Sequence, residues 1–193
     1  MQKYVLLALT VCSSVLFAAN LPAQERSSPA ALIAAQRDAM KAVARLDGVW
    51  RGTAWTILST GKKHEITQTE RIGSFLDGSV KMIEGRGYDP DGTVTFNALG
   101  IISYDVAKKS YAFHSYAMGR AGDFTFEPTA DGYIWSMPAG SMTIRYTAVV
   151  KDGKFRESGE LLMPGKEPTQ IFEMNLQRIS DTDWPAAGAV PQK

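Results

Sequence analysis

The chain has 193 residues, enough for one or two domains, and carries 21 lysine and arginine side chains against 20 aspartate and glutamate side chains. Lys62–Lys63 and Lys108–Lys109 are isolated basic pairs in predicted turns, so the chain lacks the basic excess or stripe that is typical of nucleic-acid binding. We therefore expect no nucleic-acid partner.

Residues 1–23 have the pattern of a secretory signal peptide. Lys3 supplies the positive charge, an apolar stretch runs from residue 4 to residue 19, and small residues allow cleavage after Ala19 or Ala23. The apolar stretch contains two serines and is shorter than the roughly 20 residues that a membrane-spanning helix needs. We predict a secreted or periplasmic protein with no stable membrane insertion after signal cleavage.

The supply of metal-binding and thiol side chains is small. Cys12 is the one cysteine and lies inside the predicted signal, where Val11 before it is too large for a lipoprotein cleavage site. The mature chain therefore has no thiol for a disulfide, a nucleophile or a metal site. The two histidines, His64 and His114, are too few for a histidine-rich metal site. We expect no metal and no cofactor.

Residues 24–47 are predicted to form a leader and an amphipathic helix. Ser28 is a favourable N-cap, and Pro29 fits the first helical position. One helical face is predicted over residues 29–46 by apolar residues that recur every three or four positions: Leu32, Ala35, Ala39, Val43 and Leu46. Gly48 is suited to stop a helix. We expect this helix to cover one end of the structure that follows; a free-standing helix that binds a partner is the alternative.

Residues 48–179 show the rhythm of an antiparallel sandwich or barrel. Turn signals recur every 8–12 residues, which is typical of short strands joined by hairpins. Nine such turns are present, at 60–63, 76–78, 89–92, 105–109, 118–122, 130–132, 138–140, 152–153 and 164–168. Nine short turns imply ten strands, each paired with the next, and closure would remove the two exposed edges of this meander. We predict an all-β fold, a closed up-and-down antiparallel barrel of about ten strands, followed by a flexible tail over residues 180–193.

The third predicted strand carries charge in phase with apolar residues. Val80 and Met82 share one face with Glu84, Arg86 and Tyr88. If Val80 and Met82 point inward, Glu84 and Arg86 do too, and a buried charge needs a partner. Glu70 on the second strand would then join Glu84 and Arg86 in an internal polar cluster. The alternatives are a structural ion pair near a barrel mouth, or a strand whose inner face is the opposite one.

His114 lies on the fifth predicted strand, where both faces are credible inner faces. Tyr111, Phe113 and Ser115 are on one face, and His114 and Tyr116 are on the other. An inward histidine beside an acid would act as a general base. A surface histidine, or a hydrogen-bonded core histidine, is the alternative.

Several motifs together resemble a known class of barrels. Gly48-Val49-Trp50 opens the first strand behind a helix, and Arg178 stands at the end of the last one. This pair resembles the lipocalin-like (calycin) barrels, in which a terminal arginine packs over the tryptophan through a cation–π contact. Residues 40–179 are similar to an uncharacterised family of secreted bacterial lipocalin-like domains, with a Tyr104-Asp105 turn, the stretch 144–147 and a closing run over 172–178.

The resemblance implies a barrel with a pocket, and a structural contact between Trp50 and Arg178. A related class of ten-stranded barrels binds haem through a histidine near the C-terminus. His64 and His114 are both far from the C-terminus, so the chain departs from that class and we expect no haem.

Three functions are compatible with these patterns. The leading hypothesis is a binder of a small apolar or amphipathic molecule inside the barrel, with Arg86 holding an anionic head group. The second is a pocket enzyme, an isomerase, cyclase or hydrolase, with Glu84, Arg86 or His114 in the site. The third is a cell-envelope interaction module whose barrel is filled. The predicted ligand-binding residues are one arginine and five aromatic residues: Arg86, Tyr88, Phe96, Phe113, Trp135 and Tyr146.

Overall fold

The computed structural model describes residues 28–185. The predicted signal over residues 1–23, the first leader residues and residues 186–193 lie outside this range. The α-helix α1 spans Pro29–Met40 and continues as a 3-10 helix over Lys41–Leu46; a second, short 3-10 helix spans Leu76–Gly78. Ten strands follow: β1 Gly48–Ile57, β2 Lys63–Phe75, β3 Val80–Tyr88, β4 Val94–Asp105, β5 Ser110–Ala117, β6 Arg120–Pro128, β7 Gly132–Ala139, β8 Met142–Lys151, β9 Lys154–Leu162 and β10 Thr169–Ser180.

The ten strands form one closed antiparallel barrel, which confirms the predicted fold class. Each strand pairs with its neighbours in sequence, and β1 pairs with β10 to close the ring. Trp50 of β1 lies opposite Arg178 of β10 in this closing ladder. Closure leaves no exposed edge strand in the ring.

The N-terminal helical segment closes one end of the barrel, which we call the base. Its side chains Met40, Val43 and Leu46 are all buried. The indole Nε1 of Trp50 donates a hydrogen bond of 2.9 Å to the Leu46 carbonyl, and the ring packs edge-on against Phe155 at 5.6 Å. The base therefore has a filled apolar core, and burying a large side chain there contributes about 2 kcal/mol.

Arg178 and Gly48 also meet at the base. The Arg178 Cζ lies 6.0 Å from the centroid of the Trp50 ring, at the outer limit of a cation–π contact. Its guanidinium also donates a hydrogen bond of 3.1 Å to the Asp47 carbonyl. Gly48 has φ +150°, and a Cβ there would lie 2.9 Å from Arg178 Nε. Glycine is therefore required at this corner because the arginine crosses directly over it.

The segment after β10, the start of the tail predicted over residues 180–193, contacts β2. Trp184 packs edge-on against Phe75 of β2 with ring centroids 5.7 Å apart, and Arg71 lies 4.8 Å from the Trp184 ring. Arg71 also forms an ion pair with Asp183. This part of the predicted tail therefore lies against the outer face of β2.

Two further findings concern residues 28–185. No helix in this range is long and apolar enough to cross a membrane. Within the same range, no group of three or more His, Cys, Asp or Glu side chains is placed to hold a metal ion.

Candidate functional site

The strand register decides which side chains point into the barrel. Residues directly opposite each other in an antiparallel ladder share a face. The buried Trp50 is opposite Glu70, and Glu70 is opposite Gly85. These three residues therefore belong to the inner face. Arg86 is opposite Thr69, one position out of phase, and therefore belongs to the outer face.

The predicted interior position of Glu84 and Arg86 is consequently wrong. Their side chains form an ion pair of 2.7 Å on the outer surface, where the Arg86 side chain is 46% exposed. Tyr88 is opposite Thr67 and lies on the same outer face. The barrel adopts the alternative in which the opposite face of β3 points inward. The reason is that Gly85 and Gly87 on that face leave space for side chains of β2.

His114 also lies on the outer face. It is opposite Ile101 and Asp123, whereas its neighbour Phe113 is opposite Ile102 in the core. The His114 Nδ1 lies 2.7 Å from Asp123 Oδ1, and the His114 ring packs edge-on against Tyr116 at 4.7 Å. The histidine is therefore part of a surface pair and does not face the barrel interior.

The four other predicted aromatic residues do point inward. Trp135 and Tyr146 stack with their centroids 4.2 Å apart and their planes 5° from parallel. Phe113 packs edge-on against Trp135 at 5.3 Å. Phe96 is opposite Gly87 on the inner face. With Phe172, which packs against Tyr146 at 5.7 Å, these rings form an aromatic wall in the barrel interior.

Exposure differs between the base and this aromatic wall. Trp50, Ile72 and Ile102 at the base are at most 1% exposed. The aromatic wall is only half-buried, although every one of its rings points inward. The aromatic wall is therefore less completely enclosed than the base.

A glycine makes room for the wall on β9. A Cβ at Gly159 would lie 2.8 Å from the Tyr146 ring and 3.0 Å from Phe172. A methyl group at that distance would displace the side chains of Tyr146 and Phe172. The close approach of Tyr146 and Phe172 therefore depends on glycine at this position.

Two glutamates share the interior with the aromatic wall. Glu70 of β2 and Glu157 of β9 are 9% and 8% exposed. Gln68 Nε2 donates a hydrogen bond of 2.7 Å to Glu70 Oε1, and Trp135 Nε1 donates one of 2.9 Å to Glu157 Oε1. The Tyr133 hydroxyl also stabilises the Glu157 carboxylate by hydrogen bonding. We call Glu70, Glu157 and Gln68 the interior polar cluster.

Burial shifts the ionisation of both glutamates in the same direction. Desolvation raises the pKa of Glu70 to about 8, helped by the negative charges of Glu157 and Glu84 and opposed by the Gln68 hydrogen bond. Desolvation likewise raises the pKa of Glu157 to about 7, against the hydrogen bonds from Trp135 and Tyr133. Near neutral pH the two carboxyls therefore hold protons that exposed glutamates would have released.

The sequence predicts only part of the interior polar cluster. It indicates Glu70, but with Glu84 and Arg86 as partners. The signal for Glu157 is its alternation with Phe155, which places it on the inner face of β9. Gln68 carries no charge and gives no signal on its own; its role becomes visible only once Glu70 is known to face inward.

Clefts in the wall of the described barrel include the following two. One of about 500 Å³, between β4 and the β5–β6 turn, is lined by Glu84, Leu99, Tyr116 and Arg120 among others. The other, of about 750 Å³, lies between β5 and β6 near the base and is lined by Tyr111, Phe124 and Phe126 among others. The second has a clear origin, because β6 pairs with β5 only as far as Phe124. The two strands separate beyond that point.

Comparisons with known proteins support the fold alone. No protein-family model matches the chain, and no curated protein matches it. Among solved structures, the chain is similar to the structure described as "Crystal Structure of Rv2717c from M. tuberculosis", with a TM-score of 0.55 and 12% sequence identity. The match covers 73% of this chain and 97% of that chain. At this identity, the likeness concerns the barrel fold and carries no activity with it.

Proposed function

We propose that this protein is a secreted or periplasmic lipocalin-like binder, which holds a small apolar or amphipathic molecule in the open part of its barrel. The observation that carries the proposal is the half-buried aromatic wall of Phe96, Phe113, Trp135, Tyr146 and Phe172, above a base that is fully packed. Binding sites for small molecules are concave and mostly apolar, with a few placed polar groups. The aromatic wall and the interior polar cluster supply both parts.

The lipocalin-like assignment is supported by the base of the barrel. The glycine and tryptophan at the start of β1 and the arginine at the end of β10 meet where the two strands close the ring. A helix leads into this corner, as the resemblance implies.

The two other hypotheses lose ground for different reasons. An enzyme site inside the barrel that uses Glu84, Arg86 or His114 is not supported, because all three side chains lie on the outer face. The same placement removes Arg86 as the holder of an anionic head group. A filled-barrel interaction module agrees with the packed base but leaves the exposure of the aromatic wall unexplained.

The test is the binding of Nile red, an uncharged dye that fluoresces in apolar surroundings. The purified protein should take up the dye saturably. Ser115→Trp, which puts an indole on the inner face of β5 between Gly100 and Gly122, should weaken this uptake by about tenfold or more. Ala112→Trp adds the same side chain to the outer face of the same strand and should bind like the native protein.

Circular dichroism melting would check that both tryptophan variants fold. Equal dye binding by Ser115→Trp and the native protein would move the site out of the barrel. Failure of the native protein to take up any dye would favour the filled-barrel module.

A further inference from the structure

We infer that the ligand in the barrel carries a positively charged amine, which is held by the carboxyl groups of Glu70 and Glu157 while its apolar body lies against Trp135 and Tyr146. This inference rests on the proposed function and adds the charge class of the ligand. It reverses the expectation from the sequence, which assigned Arg86 to an anionic head group.

Neither carboxyl has a positive partner among the described residues. Among residues 28–185, every ion pair involves other acids, and the groups that interact with Glu70 and Glu157 are neutral or negative. Lys81, the fully buried lysine of the described chain, is bound to Asp47 and Ser74 at the base. Two buried acids can be ionised together only at a cost, which either protonation or a bound cation offsets.

One carboxyl oxygen of Glu70 has no hydrogen-bond partner among the described residues. This side chain is about nine-tenths buried, and its Oε1 accepts the hydrogen bond from Gln68. Its Oε2 has no hydrogen-bond partner among the described residues. Every fully buried side-chain oxygen or nitrogen in that range does have a partner. The Oε2 atom must therefore border accessible space inside the barrel, where a ligand donor reaches it.

A glycine on the neighbouring strand leaves space for this carboxyl. Gly85 lies directly opposite Glu70, and a Cβ there would lie 2.8 Å from Glu70 Oε1. Any larger residue on β3 would push the carboxyl away from its position. At this point β3 contributes only backbone to the inner face, and the Glu70 carboxyl is the polar group that a ligand would meet there.

The titratable groups around Glu70 and Glu157 include two phenols and a third carboxyl. Tyr133 on β7 and Tyr146 on β8 face it from inside, and burial next to Glu157 raises the pKa of both phenols. Glu84 on β3 adds a negative charge through the wall. Among the described residues, the inner-face cations Lys81 of β3 and Arg178 of β10 are paired with Asp47 and Asp181, so an incoming ammonium would be the first positive charge paired with these carboxyls. It would favour ionised carboxyls, and protons would leave as it binds.

The experiment compares three ligands with one carbon skeleton and different charges: 2-phenylethylamine, 2-phenylethanol and phenylacetate. Calorimetry with the purified protein at neutral pH should show the amine binding about tenfold or more tightly than the alcohol, and phenylacetate binding weakest. Glu70→Gln and Glu157→Gln should each remove most of the preference for the amine over the alcohol. Glu65→Gln and Glu160→Gln are matched controls, because they remove the same charge from the outer faces of the same two strands.

A second measurement uses only the native protein, in case a variant fails to fold. The binding enthalpy of the amine should differ between phosphate and Tris buffers because protons are released, and that of the alcohol should not. The inference is overturned if amine and alcohol bind equally, if phenylacetate binds best, or if the amine releases no protons. Nile red uptake separates the two levels: uptake without amine preference ends this inference alone, and no uptake of any compound ends the proposed function.

Discussion

At the scale of single residues, the most constrained contact is the buried pair at the base. The Lys81 side chain is 2% exposed, and its ammonium lies 2.5 Å from Asp47 and 2.7 Å from the Ser74 hydroxyl. Burial lowers the pKa of Lys81, and the Asp47 hydrogen bond and charge act against that shift. Asp47 is 32% exposed and still reaches water. The two partners therefore depend on each other unequally.

Removal of Asp47 should cost more stability than removal of Lys81. Asp47→Asn leaves an ammonium in the interior without its counter-ion, at a cost of about 3 kcal/mol. Lys81→Met leaves a carboxylate that water can solvate, and should cost about 1–2 kcal/mol. Urea unfolding of the native protein and both variants would measure the two costs. A larger loss for Lys81→Met would show that the ammonium is better solvated than its position indicates.

At the scale of strands, the sequence was informative where one face is clearly apolar. On β8, the alternation from Met142 to Val150 against Thr143, Arg145 and Thr147 agrees with the observed inner face. The ten strands and nine turns could be predicted because each hairpin carries its own local signal.

On β3, the same reasoning chose the wrong face. The true inner face carries Lys81, Ile83, Gly85 and Gly87, and glycine has no hydropathy signal. The space next to these glycines is filled by the side chains of Ile66, Gln68 and Glu70 of β2. A hydropathy pattern read along β3 alone does not include them. The candidate site followed the same pattern. Its aromatic residues could be predicted, whereas its charged groups depended on long-range register.

The segment that follows β10 makes a prediction at this scale. Trp184 covers Phe75, Gly73 and Arg71 on the outer face of β2. Trp184→Ala should lower the free energy of unfolding by about 1–2 kcal/mol, because a half-buried indole loses its apolar contacts and its cation–π partner. Differential scanning calorimetry would measure a melting temperature lower by about 3–6 °C. Ile179→Ala is the matched control: this side chain is 59% exposed and should have little effect.

At the scale of the whole molecule, the two interior acids set how stability varies with pH. An unfolded glutamate has a pKa near 4.5, whereas the folded chain raises the pKa of Glu70 to about 8 and that of Glu157 to about 7. Between those limits the folded state binds more protons than the unfolded state. The free energy of unfolding should therefore be highest near the lower limit and fall as pH rises towards the folded values.

The double variant Glu70→Gln with Glu157→Gln tests this dependence, because glutamine resembles the protonated acid. The native protein should lose several kcal/mol between about pH 5 and pH 8.5, and the double variant should lose much less. Urea titrations at several pH values would give both curves. Parallel curves for the two proteins would place the pH dependence in other groups.

The closing ladder between β1 and β10 has a kinetic consequence. Every other ladder joins strands that are adjacent in sequence and form hairpins, so nine of the ten pairings need only short loops to close. The tenth joins the first strand to the last, and its loop entropy is the largest in the molecule. A chain synthesised from its N-terminus can form the hairpins in order. The edge of β1 that faces away from β2 has no partner until β10 is complete. For that interval the protein is an open sheet with two bare edges, which is when it is most exposed to misassembly with another copy.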